Sequence, residues 1–175
     1  LNDQRRMRTT PRRSRAPTAS STFQRKVARG ISCARMTVVV VAEKPSVARD
    51  LARALGATRA ERGCLRGDGH VVTWAIGHLV ALPEPHQIDP RFRAWRRADL
   101  PILPERWPLV VLDKTRDQFE RVKELLRARD VDHVVCATDA GREGELIFRF
   151  LYEAAGCTRP VRRLWLSSLT PEAIA

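Results

Sequence analysis

Thr37-Val-Val-Val-Val-Ala42 is the feature that most constrains this chain. Five β-branched residues in a row, with no polar alternation, predict a strand covered by apolar layers on both faces. Such a strand belongs to the interior of a sheet flanked by helices, not to a sheet with one face in water. Pro45 and Ser46 then open a helical pattern that places Val47, Leu51, Ala54 and Leu55 on one face, and Gly56 ends it. His70–Ile76, bounded by Gly69 and Gly77, reads as a second strand and Leu109–Leu112 as a short third. Phe119, Val122, Leu125 and Leu126 form the buried stripe of a helix, and Asp132–Thr138 is a fourth strand. A helix over Arg142–Ala155, with Leu146, Ile147, Phe150 and Leu151 inward, precedes a last strand over Val161–Leu166. Strands alternating with helices predict an α/β fold with a mainly parallel central sheet and helices on both faces.

Residues 1–35 depart from this pattern. They carry ten basic side chains against one acid, so +9 of the chain's formal charge of +12 lies there, and the other 140 residues are only +3. Rich in Arg, Ser, Thr and Pro and without apolar periodicity, this segment is expected to be disordered. It reads as a nucleic-acid-binding arm, as an organellar transit peptide, or as non-native sequence upstream of a start at Met36. Residues 83–108 hold six of the eleven prolines and are expected to be irregular. Thr170-Pro171-Glu172 has the cap, proline and early acid of a helix start, so residues 170–175 are expected to begin a following element cut short at Ala175. No apolar run approaches the length of a membrane span. Cys33, Cys64, Cys136 and Cys157 show no zinc-ligand spacing with the four histidines; reduced thiols, with Cys136 buried, are the simplest reading.

Chemistry concentrates at two strand ends, where open parallel sheets place their sites. One is Glu43-Lys44-Pro45-Ser46, the other Thr138-Asp139-Ala140-Gly141-Arg142-Glu143-Gly144-Glu145. Neither has the spacing of a Walker loop or of a dinucleotide fingerprint. Glu43 with Asp139, Glu143 and Glu145 offers hard oxygen donors suited to Mg²⁺, and Lys44 and Arg142 offer charge to a phosphate. Gly141 and Gly144 would let a phosphodiester approach closely. The plain alternative is that Asp139 caps a helix and that Glu43 and Lys44 are solvated loop residues.

These two segments resemble the signatures of the Toprim domain of type IA DNA topoisomerases, most closely the bacterial topoisomerase III branch. Gly69–Leu79, Ala98–Pro104 and Arg163–Ser168 agree with that resemblance, which covers about residues 36–175, with the Toprim domain itself over 36–169. It implies a Toprim fold and a Mg²⁺-dependent enzyme of the bacterial cytoplasm, associated with the chromosome, that breaks and rejoins single-stranded DNA to change DNA topology. Glu43 is similar to the family's glutamate that binds metal and serves as general acid, and Lys44 to the lysine on the scissile phosphate. Asp139 matches the first acid of an Asp-x-Asp metal motif whose second acid is Gly141 here, which shifts metal binding to Glu43 and Asp139 with Glu143. Arg142 would steady the phosphate, and Trp95 would stack on single-stranded DNA or else anchor its loop. His78 would face DNA or serve the fold. Trp74, Trp107 and Trp165 read as packing residues. The family's nucleophilic tyrosine has no counterpart, because the only tyrosine, Tyr152, lies in the apolar pattern of a helix. It is expected beyond residue 175, so the fragment alone is expected to be inactive. A freestanding Toprim nuclease or primase and a non-catalytic DNA-binding module are the rival readings.

Overall fold

A computed structural model describes residues 36–165. The expectations for residues 1–35 and 170–175, and Cys33, fall outside the described residues. The elements run β1 (Thr37–Ala42), α1 (Pro45–Ala54), β2 (Arg59–Glu61), β3 (Cys64–Gly67), β4 (His70–Trp74), β5 (Val80–Ala81) and the single turn α2 (Pro85–Ile88). They continue as β6 (Val110–Val111), α3 (Arg116–Leu126), β7 (Val131–Ala137), α4 (Arg142–Ala154) and β8 (Val161–Arg163). Short 3₁₀ turns lie at Pro90–Ala94, Arg97–Asp99 and Asp113–Thr115.

The valine run does what its composition requires. β1 is central in a six-stranded sheet of order β2-β3-β4-β1-β7-β8, parallel to β4 on one side and β7 on the other, with Val40 opposite both Val72 and Val135. Alternate valines serve opposite faces. Val39 and Val41 join Phe119, Val122 and Leu126 of α3 and Ile147, Phe148 and Leu151 of α4 in one core. Val40 and Ala42 pack with Val47, Ala48 and Leu51 of α1 in the other. Burying a Val, Leu or Phe side chain contributes roughly 1.5–3 kcal/mol, so two such layers hold β1 firmly.

Four details differ from the sequence pattern. The β2–β3 hairpin, antiparallel to β4, has no signal in the sequence pattern because Arg59-Ala60-Glu61 and Leu65-Arg66-Gly67 lack apolar alternation. Its turn at Gly63 takes φ +67°, which favours glycine. The short strand at Leu109–Leu112 reduces to Val110–Val111 and pairs antiparallel with Val80–Ala81 in a separate two-stranded sheet, outside the parallel set. In α1 the buried stripe is Val47, Ala48, Leu51 and Ala52, while Ala54 is exposed. In α4 it is Gly144, Ile147, Phe148 and Leu151, so Leu146 faces outward and Phe150 is half-buried. The last two are rotations of the helix face by about one residue, which small side chains permit: Ala48, Ala52 and Gly144 let the sheet approach without contributing hydrophobic signal. Residues 83–108 carry only the single turn α2 and two 3₁₀ turns, in keeping with their prolines. Trp74 is half-buried, but Trp107 and Trp165 are exposed rather than packed. No helix among the described residues is long and apolar enough to cross a membrane.

Candidate functional site

β1 and β7 are adjacent and parallel, in register from Val38 opposite His133 to Ala42 opposite Ala137, so their C-terminal ends lie side by side. The residues that follow each strand therefore meet. Glu43 reaches across so that its Oε2 accepts a hydrogen bond from the Asp139 backbone N–H at 3.2 Å. The Lys44 ammonium lies 3.6 Å from Glu43 Oε1 and 3.6 Å from Asp139 Oδ2, bridging the two carboxylates. Glu43 is 13% exposed at its side chain and Asp139 56%, so one carboxylate is sheltered and the other open to a ligand.

The helix that follows β7 has Gly141 as its N-cap and no side-chain cap. Asp139 is thus not spent on capping, and its carboxylate turns to Lys44. Thr138 supplies the local lock instead, its hydroxyl donating to the Gly144 carbonyl at 2.7 Å. The expectation that Gly144 serves a phosphate is corrected here. A Cβ at Gly144 would collide with the Asp139 carbonyl oxygen and lie 2.9 Å from the Asp139 nitrogen, so this glycine serves contact between helix and turn. Gly141 has open space where its Cβ would be, which leaves its backbone approachable.

The remaining residues sort by position. Glu143 is exposed at the first turn of α4, with Oε1 3.7 Å from His78 Nε2, and is not brought into the Glu43–Asp139 pair. Glu145 points the other way, bonding Arg149 at 2.7 Å and Arg163 at 3.1 Å, which removes it from the available ligands. Arg142 is exposed beside Gly141. Trp95 is 65% exposed and follows the Pro90–Ala94 turn with φ +50°, an outward ring rather than a loop anchor. Tyr152 is half-buried, its hydroxyl donating to the Arg159 carbonyl at 2.6 Å. Burial first, and then Cys157, push its pKa above the usual 10, the opposite of an activated nucleophile. Cys64, Cys136 and Cys157 are buried free thiols.

Among the described residues no three His, Cys, Asp or Glu side chains converge as a cation cage. The donor set nonetheless fits Mg²⁺, which takes one or two carboxylates and keeps waters for a phosphate oxygen. A cationic ammonium already lies between these two carboxylates, so the spot favours positive charge.

Residues 38–169, three quarters of the chain, match the family model described as the Toprim domain. The chain belongs to the Toprim family. Its six-stranded, mostly parallel sheet with helices on both faces is the α/β architecture expected of that fold. It is 53% identical over 136 residues to the DNA topoisomerase 3 of Bacillus subtilis (strain 168), and equally so to that of Bacillus licheniformis. It is 50% identical over 135 residues to the DNA topoisomerase 3 of Shouchella clausii. Each match covers 77–78% of this chain but only 18–19% of the relative, so the chain spans about a fifth of the length of the relatives it matches.

Sequence reasoning missed one residue of this Toprim site. Arg163, on the strand next to β7, reaches the Thr138–Asp139 turn with both terminal nitrogens. The only signal was its place at the head of the Arg163–Ser168 segment, and a single arginine in a strand does not announce its partners.

Proposed function

We propose that this chain is the Toprim portion of a DNA topoisomerase III of type IA, which breaks and rejoins one DNA strand. The reading rests above all on the convergence of Glu43 and Asp139 from neighbouring strand ends, supported by the 53% identity to DNA topoisomerase 3. In it Glu43 and Asp139 hold Mg²⁺, with Glu143 at the rim, and the bound ion supplies positive charge to the phosphate undergoing transfer. Lys44 leaves its bridging position to contact the scissile phosphate, and Arg142 and the open Gly141 backbone steady the same group. Glu43 also serves as general acid to the leaving oxygen, in the part of the cycle in which it does not ligate the ion. Trp95 offers its exposed ring to a base of single-stranded DNA, with His78 alongside the path. The attacking tyrosine belongs to another part of the protein, and the protein works in the bacterial cytoplasm on chromosomal DNA.

Incubation of the 175-residue chain with negatively supercoiled plasmid and Mg²⁺ tests this. The expected result is neither relaxation nor a covalent protein–DNA adduct. An adduct through Tyr152 would overturn the assignment, and Mg²⁺-dependent nicking abolished by Glu43→Gln would favour a freestanding nuclease. Trp95→Ala is expected to weaken binding of a single-stranded oligonucleotide by roughly tenfold, read by fluorescence anisotropy.

A further inference from the structure

We propose that Arg163 is the positioning residue of this site, and that it acts through one peptide plane. The inference rests on reading Glu43 and Asp139 as the cation-binding pair. The Arg163 side chain is 14% exposed and lies beneath the turn that leaves β7. Its Nη2 donates to the Thr138 carbonyl at 3.0 Å and to the Asp139 carbonyl at 2.6 Å. Its Nη1 faces Thr138 Oγ1 at 3.0 Å, Glu145 Oε2 at 3.1 Å and the Cys136 sulfur. Its Nε is buried without a partner, so the whole group is directed by the two terminal nitrogens.

The Thr138 carbonyl and the Asp139 N–H belong to the same peptide unit. A trans peptide is planar, so its C=O and N–H point in opposite directions. Holding the carbonyl on the Arg163 side therefore aims the N–H away from Arg163, and it is this N–H that binds Glu43 Oε2 at 3.2 Å. The second contact, to the Asp139 carbonyl, fixes the next peptide unit and hence the direction of the Asp139 side chain. One guanidinium thus sets the orientation of both carboxylates while touching neither. A lysine carries the same charge but has a single nitrogen, so it cannot engage the two carbonyls while also being held by Thr138 Oγ1 and Glu145. Glu145 and Thr138 hold the guanidinium in place, which accounts for a conspicuous acid of the α4 motif that does not face the site.

Three measurements on the 175-residue chain and its variants test the role: Mn²⁺ titration followed by electron paramagnetic resonance, thermal melting, and amide hydrogen exchange at Asp139. Arg163→Lys is expected to keep the fold, to weaken Mn²⁺ binding by roughly tenfold or more, as losses of groups that orient metal ligands do, and to speed exchange at Asp139. A purely structural arginine would lower the melting temperature without changing Mn²⁺ affinity in the folded protein. Folded Arg163→Lys with wild-type affinity and wild-type exchange overturns the proposal. If that variant does not fold, Glu145→Gln at its partly exposed position decides: a weaker affinity supports the role and an unchanged one overturns it. If the wild-type chain itself takes up no Mn²⁺, the cation reading of Glu43 and Asp139 fails separately. Exchange at Asp139 then decides whether Arg163 orients the turn.

Discussion

The two strand ends that form the site occupy equivalent places on neighbouring parallel strands, yet they are built differently. After β1 the chain passes through Glu43 and Lys44 directly into α1, with Pro45 at its first position and no side-chain cap. After β7 the turn is held from three sides: by Arg163, by the Thr138 hydroxyl on Gly144, and by the close approach of Gly144 to Asp139. The first turn supplies a side chain that reaches out, whereas the second supplies a fixed backbone to be reached. The lesson is that a side chain leaving an uncapped turn can be placed by a rigid neighbour, because the Asp139 N–H gives Glu43 a defined docking point.

Substitutions should separate the two turns in order of size. Gly144→Ala places a methyl group against the Asp139 backbone and is expected to cost about 3 kcal/mol by denaturant unfolding, through the forced shift of α4. A loss near zero would mean the second turn is not tightly buttressed. Thr138→Val removes a buried hydroxyl that donates to the Gly144 carbonyl, for an expected loss of about 2 kcal/mol in the same assay. In the first turn Pro45→Ala should cost only about 0.5–1 kcal/mol, because it changes mainly the freedom of the unfolded chain. A Pro45→Ala loss as large as that of Gly144→Ala would erase the contrast.

The smallest effect lies away from both turns and serves as a control. Burial would raise the pKa of Glu61, but hydrogen bonds and charge from Arg66 and Arg59 outweigh it and leave the carboxyl below its ordinary value. A depressed carboxyl pKa stabilises the fold above the unfolded value and loses that contribution as the pH falls through the folded one. Glu61→Gln is therefore expected to flatten slightly the fall of melting temperature in acid, without touching Mg²⁺ binding.

What could be read in advance followed the side-chain chemistry of single segments. The valine run declared a doubly covered strand, and the Phe119–Leu126 stripe was buried as its spacing required. The Glu43 and Asp139 segments announced themselves as acids at strand ends. Three things stayed hidden. The β2–β3 hairpin is polar at the edge of the sheet and leaves no apolar alternation. The inward faces of α1 and α4 are partly Ala and Gly, whose small size admits close packing but carries little hydrophobic pattern. Arg163 acts through backbone carbonyls 24 and 25 positions away, and a contact of that kind has no local signature. The separation of Glu143 from the acidic pair is hidden for a related reason: residues close in a motif diverge once a helix begins between them.

Convergence of Glu43 and Asp139 into one cation site is the central claim, and isothermal titration of Mg²⁺ into the 175-residue chain tests it most directly. The expected result is saturable binding by the wild-type chain that disappears in both Glu43→Gln and Asp139→Asn, with the circular dichroism spectra of all three superimposable. Mg²⁺ binding by either variant with wild-type affinity would contradict it.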